Sequence, residues 1–212
     1  MATIVHNQAD PKEAQTKQLF NNPILEKLTH THFAVPITIL TVAAILVLYL
    51  GFTTTTLSTP WIIGLFFLGL LTFTLAEYLI HRHIFHMAPS KKWKAFVAYK
   101  FHGVHHDYPK DKSRLAMPPI FSTILATLLF FAFKLVMGDM AFGFMPGFLI
   151  GYTGYLLVHY VVHAYQPPKN ILKELWINHG IHHYKDDSIA FGVSSPLWDY
   201  IFGTIPKKKK RK

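Results

Sequence analysis

The chain has 212 residues, 51% of them hydrophobic and only 15% charged, with a mean hydropathy of +0.26. Low charge at this hydropathy excludes disorder and an ordinary soluble domain, and the length allows one domain with a sizeable core. Cysteine is absent, which excludes disulfides, thiolate zinc sites, cysteine nucleophiles and Cys-ligated iron–sulfur clusters, while the 14 histidines outnumber the 11 carboxylates.

In chain order, residues 1–30 mix Lys12, Glu13, Lys17, Glu26 and Lys27 with Pro11 and Pro23 and lack an apolar core. They read as a cytoplasmic or interfacial lead-in, not as a signal peptide. Four apolar runs follow. The first has its apolar heart at 33–52 and ends in a threonine tract at 53–56. The second, 61–80, carries one charge, Glu77, near its end; the third, 118–137, carries only Lys134. The fourth spans about 141–162, with Gly143, Gly147, Gly151 and Gly154 spaced for close helix approach. About 20 apolar residues cross a hydrocarbon core of roughly 30 Å as a helix. The fold expected is an all-α integral membrane protein with four transmembrane helices, arranged as two hairpins under a cytoplasmic histidine-rich helical cap. Residues 31–205 form the membrane unit, between the lead-in and a polybasic tail at 206–212.

Charge orients the spans. Arg82, Lys91, Lys92, Lys94, Lys100, Lys110, Lys112 and Arg114 lie between runs two and three, and Lys169, Lys173, Lys185 and residues 207–212 follow run four. The 53–60 connection has no basic residue and the 138–140 turn only Asp139. The positive-inside rule therefore places both termini and the 82–117 segment in the cytoplasm. Topology accounts for the basicity, so a nucleic-acid partner is not expected.

The histidines concentrate where that topology puts the cytoplasmic side. Ten fall in four clusters: His81 and His86; His102, His105 and His106; His159 and His163; His179, His182 and His183. Positions i, i+3 and i+4 share one helix face, so each HxxHH triplet can offer up to three imidazoles to one centre. His81 and His86 are five apart and can bracket a metal only where the helix ends or unwinds. A metal takes about four to six ligands, so ten imidazoles imply two ions. Imidazole suits iron, zinc, copper and nickel alike.

Carboxylates near these clusters are few. Glu77, one turn before His81, is costly in an apolar run unless paired, and is expected to orient His81 through its second ring nitrogen. Snorkelling to the interface is the alternative. Asp107, next to His106, and Asp199 are further candidates for supporting the ligands. His83 is the leftover histidine that can replace a neighbour as ligand, whereas His6, His30 and His32 read as interfacial or solvated. Trp61, Trp93, Trp176 and Trp198 fit an aromatic belt.

EYLIHRHIFH, FHGVHHDYPKDKSRLAMPP, HYVVH and HGIHHYKDDSIAFGVSSPLWDYIFGT together resemble the fatty acid hydroxylase (sterol desaturase) superfamily of histidine-rich membrane oxygenases. The resemblance covers roughly residues 60–205. The segments 111–119 and 191–204 look most like the fatty acid 2-hydroxylase branch, which acts on acyl chains of sphingolipids. The resemblance implies two iron ions held by the ten clustered histidines, with zinc able to replace iron in preparations. It further implies O2 as co-substrate and oxygen insertion at C2 of a lipid acyl chain. Members of that branch commonly carry a cytochrome b5 domain, for which residues 1–30 are too short. Electrons are therefore expected from a separate cytochrome b5-like or ferredoxin-like donor and its reductase. The compact form points to a bacterial inner membrane rather than the endoplasmic reticulum. Alternatives from the same residues are a sterol or carotenoid hydroxylase or desaturase, and a membrane zinc hydrolase. Substrate-lining residues are not readable at this level.

Overall fold

The computed structural model describes residues 16–207; His6 and the rest of residues 1–15, and the polybasic run 208–212, lie outside them. Among the described residues, all regular structure is helical.

The described lead-in is a strap tied to the segment around Ser113 and Arg114. Asn22 caps the short α1 (Pro23–Lys27) by accepting the Ile24 and Leu25 N–H groups. Glu26 accepts the N–H groups of Leu19 and Phe20 and pairs with Arg114, while Thr31 N–H donates to the Ser113 carbonyl at 2.8 Å. These bonds tie residues 19–31 to the segment around Ser113 and Arg114.

Two long helices follow, α2 (Ala34–Thr54) and α3 (Thr59–Ile80), and then a π-helical turn, His81–Phe85. Short α4 (Lys92–Ala98), a second π turn (Tyr99–Gly103) and α5 (Val104–Asp107) build the next part of the cap. The chain returns through α6 (Pro119–Met137) and α7 (Ala141–Ala164), and ends with α8 (Lys173–Tyr184) and α9 (Leu197–Phe202). Pro60 and Pro119 sit in first turns, where a missing N–H costs nothing. Between α6 and α7 the chain reverses at Gly138, whose φ of 59° suits glycine.

Three stretches are long and apolar enough to cross a membrane: Ala34–Thr54, Thr59–Phe85 and Lys112–Ala164. The last, 53 residues long, contains both α6 and α7. Their outer faces expose Ile45, Leu46, Phe67, Leu68, Leu128, Phe131 and Leu135, an apolar surface that water would not tolerate but lipid does. Threonine hydroxyls within these helices are satisfied internally: Thr53, Thr54, Thr72 and Thr127 each donate to the carbonyl four residues earlier.

α7 is the central helix. It packs along α3 on one side and α2 on the other, and α2 and α3 touch each other little. Leu40 and Ala44 of α2 meet Met145 and Leu149 of α7 in a buried cluster, onto which Phe130 and Phe133 of α6 close. Against α3 the approach is backbone to backbone. A Cβ at Gly69 would stand 2.0 Å from the Phe144 carbonyl oxygen, and one at Gly147 only 1.8 Å from that of Phe66. Gly143 and Gly151 also face α3 side chains, so three of the four expected glycines serve close approach; Gly154 meets nothing within 4 Å.

Gly147→Val is therefore expected to separate α3 from α7 and cost about 3 kcal/mol or more, read as a lower midpoint of thermal unfolding in detergent. Gly154→Ala should leave that midpoint in place. Equal effects of the two changes would refute the contact as the determinant.

Candidate metal centre

The ten clustered histidines converge as two groups of five. In the first, which we call loop-side, His81, His86, His102, His106 and His182 each offer a ring nitrogen, all within 4.8 Å of one another. In the second, span-side, His105, His159, His163, His179 and His183 do the same. Each HxxHH triplet is split: His102 and His106 serve the loop-side group while His105 crosses to the other, and His179 and His183 serve the span-side group while His182 crosses back. A triplet thus does not supply three imidazoles to one centre, as the shared helix face suggested. Its i and i+4 members stay together and the i+3 member diverges.

The π turn solves the spacing of His81 and His86. The His86 N–H bonds the His81 carbonyl at 3.2 Å, the i to i+5 pattern that widens the helix and brings residue i+5 back over residue i. A second π turn ends at Gly103 and sets the register of His102 against His105 and His106.

Several nitrogen pairs approach at ligand-like distances. Nε2 atoms of His81 and His102 are 2.9 Å apart, those of His102 and His106 3.0 Å, and those of His86 and His182 3.0 Å. In the span-side group, His105 and His159 stand at 2.9 Å and His163 and His179 at 2.7 Å. Adjacent ligands at right angles on bonds of about 2.1 Å would lie about 3.0 Å apart. The rings of His106 and His183, one from each group, stack at 4.2 Å, so the groups are contiguous.

Tautomers are fixed from behind. His81 Nδ1 lies 2.6 Å from the Phe191 carbonyl, His182 Nδ1 2.7 Å from the Ile189 carbonyl, and His159 Nδ1 3.3 Å from that of Leu115. A carbonyl only accepts, so the proton sits on Nδ1 and the Nε2 lone pair points into the group. Burial, then neighbouring imidazoles, holds His102, His105, His179 and His183 well below the ordinary imidazole pKa. They are neutral, the form a metal binds. Both ring nitrogens of half-buried His183 are shut off from solvent and lack a partner among the described residues. Convergent neutral lone pairs with an unpartnered imidazole fit a metal in each group.

The carboxylates do other work. Glu77 does not bond His81 directly, since the Nδ1 partner of His81 is the Phe191 carbonyl. Instead buried Glu77 accepts the Val193 and Ser194 N–H groups at 2.7 and 2.8 Å, and the Ser194 hydroxyl as well. Asp199 accepts the N–H groups of Phe191 at 2.9 Å and Gly192 at 2.8 Å, and the Thr204 hydroxyl at 2.7 Å. The two acids pin residues 191–194 and the Thr204 carbonyl takes the Ala190 N–H at 2.9 Å, which together fix the stretch carrying the carbonyls that orient His81 and His182. Ala190 is held there at φ 58°, a left-handed conformation that costs about 1–2 kcal/mol. Gly192 is required, since a Cβ would come within 2.2 Å of the Ser195 carbonyl oxygen. Asp107 accepts the Tyr99 hydroxyl at 3.0 Å, bracing α5 against the preceding turn. Sequence reasoning missed the carbonyls of Phe191, Ile189 and Leu115, and it gave no role to Asp187, a carboxylate near the clusters whose Oδ2 lies 3.8 Å from His86 Nδ1. The signal was indirect: two acids, Glu77 and Asp199, placed where nothing charged needs neutralising.

The described histidines outside the clusters, His30, His32 and His83, stay outside both groups. His83 and His32 are exposed, and His30 bonds the Ser113 hydroxyl and Arg114. Trp176 donates to the Tyr165 carbonyl and Trp198 to the Thr74 hydroxyl.

The family model described as fatty acid hydroxylase matches residues 66–204. A fatty acid 2-hydroxylase of Rattus norvegicus is 38% identical over 147 residues, which are 68% of this chain and 40% of that protein. The dihydroceramide fatty acyl 2-hydroxylase FAH2 of Arabidopsis thaliana is 37% identical over 139 residues, 65% of this chain and 59% of that one. The chain thus spans less than two thirds of the length of these curated relatives. A solved structure titled full-length scs7p, with only the hydroxylase domain visible, superposes with a TM-score of 0.80 at 32% identity, covering 89% of this chain and 72% of that one. An animal and a plant as sources of these relatives point away from the bacterial inner membrane expected from the compact form.

Asp199→Ala would leave the Phe191 and Gly192 N–H groups unpaired in the interior. It is expected to cost about 3 kcal/mol, read by unfolding in detergent, and Asp199→Asn, which keeps one acceptor, should cost less. Small and equal losses would mean that another group holds residues 189–194.

Proposed function

The chain belongs to the fatty acid hydroxylase family, and on that premise we propose that it hydroxylates a lipid acyl chain at C2, using O2, two iron ions and electrons from a separate donor. The substrate proposed is a fatty acyl group of the sphingolipid or ceramide type, in keeping with the name of the Arabidopsis thaliana relative, while that of the rat relative gives the position and the fatty acid. The observation that carries the reading is the pair of five-histidine groups at the ends of apolar helices.

The loop-side histidines His81, His86, His102, His106 and His182 would hold one iron, and the span-side histidines His105, His159, His163, His179 and His183 the other. Iron bound there supplies, with O2 and two electrons, the oxidising power that side-chain acids and bases lack against an unactivated C–H bond. With two protons taken up alongside the two electrons, one oxygen atom would end as a hydroxyl on C2 and the other would leave as water. The chain's own task is position and dryness. The carbonyls of Phe191, Ile189 and Leu115 keep the Nδ1 protons of their histidines turned outward from the two groups. The strap and cap cover the centre, and the apolar helices receive the tail while the carbonyl next to C2 stays at the polar boundary.

The proposed topology has four spans in two hairpins, with both termini and the centre cytoplasmic. α6 has 19 residues and α7 24, each close to the ~20 that one crossing requires, and Gly138 reverses the chain between them. The absence of cysteine makes this easy to check. Single cysteines at Thr56 and Asp139 should react with a membrane-impermeant maleimide from one side, and one at Lys110 only from the other. Labelling of all three from the same side would overturn the topology.

Activity is tested by expressing the chain with a cytochrome b5 and its reductase in a host without 2-hydroxylipids, then analysing ceramides and free acyl chains by mass spectrometry. A mass gain of one oxygen, placed at C2 by fragmentation, is expected. His106→Ala and His183→Ala, one from each group, should each abolish it and lower metal content. Unchanged lipids, with metal bound and reduced, would overturn the proposed reaction.

A further inference from the structure

The two histidine groups are not supported alike. In the loop-side group, His81 and His182 hold carbonyls at 2.6 and 2.7 Å, and His86 Nδ1 lies 3.8 Å from Asp187 Oδ2. All three partners come from residues 187–191 of one connection between α8 and α9. In the span-side group, His159 Nδ1 stands 3.3 Å from the Leu115 carbonyl. The Nδ1 atoms of His105, His179 and His183 have no partner among the described residues.

The connection that supports the loop-side group is itself tied down at its far end by Glu77. Glu77 sits in the last turn of α3, one turn before His81, and its carboxylate takes both N–H groups of residues 193 and 194 and the Ser194 hydroxyl. Helix and connection are therefore locked at two points: Glu77 to Val193 and Ser194, and His81 to Phe191. Gly192 lies between these points with no room for a side chain. The bonds made by Glu77 all run to this connection and none to a span-side histidine.

We propose that Glu77 is a positioning residue that acts, through residues 189–194, on the loop-side metal alone, so that the two metals are held unequally. The proposal rests on the two-metal reading above. Orienting groups behind an imidazole typically change metal affinity by 10- to 100-fold. With Glu77 removed, residues 193 and 194 are released and Asp199 alone still holds Phe191 and Gly192, so the Phe191 and Ile189 carbonyls are held less firmly and His81 and His182 are aimed less well. The span-side ligands keep theirs.

The test uses cobalt(II), whose visible spectrum reports each bound ion, titrated into the metal-depleted full chain in detergent with metal content measured per chain. Wild type is expected to bind two cobalt ions. Glu77→Ala should keep one at wild-type affinity and hold the second 10- to 100-fold more weakly. Ser194→Ala removes one bond to the same carboxylate and leaves the backbone intact, and should weaken the same site by a smaller factor. If Glu77→Ala does not fold, Ser194→Ala decides alone. His163→Ala, which strips a span-side ligand, identifies the sites: combined with either change it should remove the ion that the single change retained. Two ions at unchanged affinity in both variants, or parallel weakening of both sites at unchanged thermal stability, would overturn the proposal while leaving the two-metal reading intact. A wild-type chain that binds no cobalt would overturn both.

Discussion

The backbone contact between α3 and α7 is the constraint on which the centre depends. Carbonyls of Phe66 and Phe144 lie where the side chains of residues 147 and 69 would be, so the helices can cross only at that depth and that register. α3 ends in His81 and α7 carries His159 near its end. Two of the ten imidazoles are therefore fixed relative to each other by glycines three turns away, before any cap residue is placed. α5 and α8 then fill a gap whose width is already decided. In lipid this matters more than in water, because no hydrophobic force between helices corrects a poor fit; packing contact is what remains.

Much of this was legible in the sequence because two periods leave plain marks. Apolar runs near 20 residues announce helices that lipid can accept, and i, i+3, i+4 histidines announce ligands on a face. Eight of the ten clustered histidines carry that mark, whereas His81 and His86, five apart, were grouped only by allowing the helix to unwind there, and Gly143, Gly147 and Gly151 stood out by spacing for close approach. Two things were not legible. The division of each HxxHH triplet depends on what stands on either side of α5 and α8. An ideal helix places His102, His105 and His106 on one face, but a face broad enough for three rings is broad enough to serve two neighbours. The partners behind the ligands were also hidden, because a backbone carbonyl has no letter. Phe191, Ile189 and Leu115 act through atoms that every residue has.

Glu77 shows how a correct instinct about cost can reach the wrong partner. A buried acid in an apolar helix must be compensated. Histidine one turn away was the obvious neighbour, but two backbone N–H groups and a serine hydroxyl satisfy a carboxylate more completely, with no need for a second charge. The same holds for Asp199, which accepts two N–H groups and the Thr204 hydroxyl. Both acids act as organisers of backbone. Their carboxyl oxygens are saturated by donors, which leaves the imidazoles free of competing carboxylates.

That separation has an electrostatic consequence for the proposed centre. Ten neutral imidazoles bring no negative charge, unlike the carboxylate-rich metal sites of many soluble helix bundles, so bound divalent ions would keep their full charge. A buried cation pair is costly unless anions stand near. Glu77, Asp187 and Asp199 stand one residue layer out, each bonded to or facing the segment that touches the loop-side histidines. From there Glu77 and Asp199, when ionised, would offset charge across the buried interior, and exposed Asp187 from the solvent side, without occupying a coordination position. The span-side group, nearer the apolar run of α7, has no such layer in the bonds described. Placing the acids on one side only gives the two proposed ions different surroundings from identical ligands, the means by which a homogeneous set of histidines yields a heterogeneous pair.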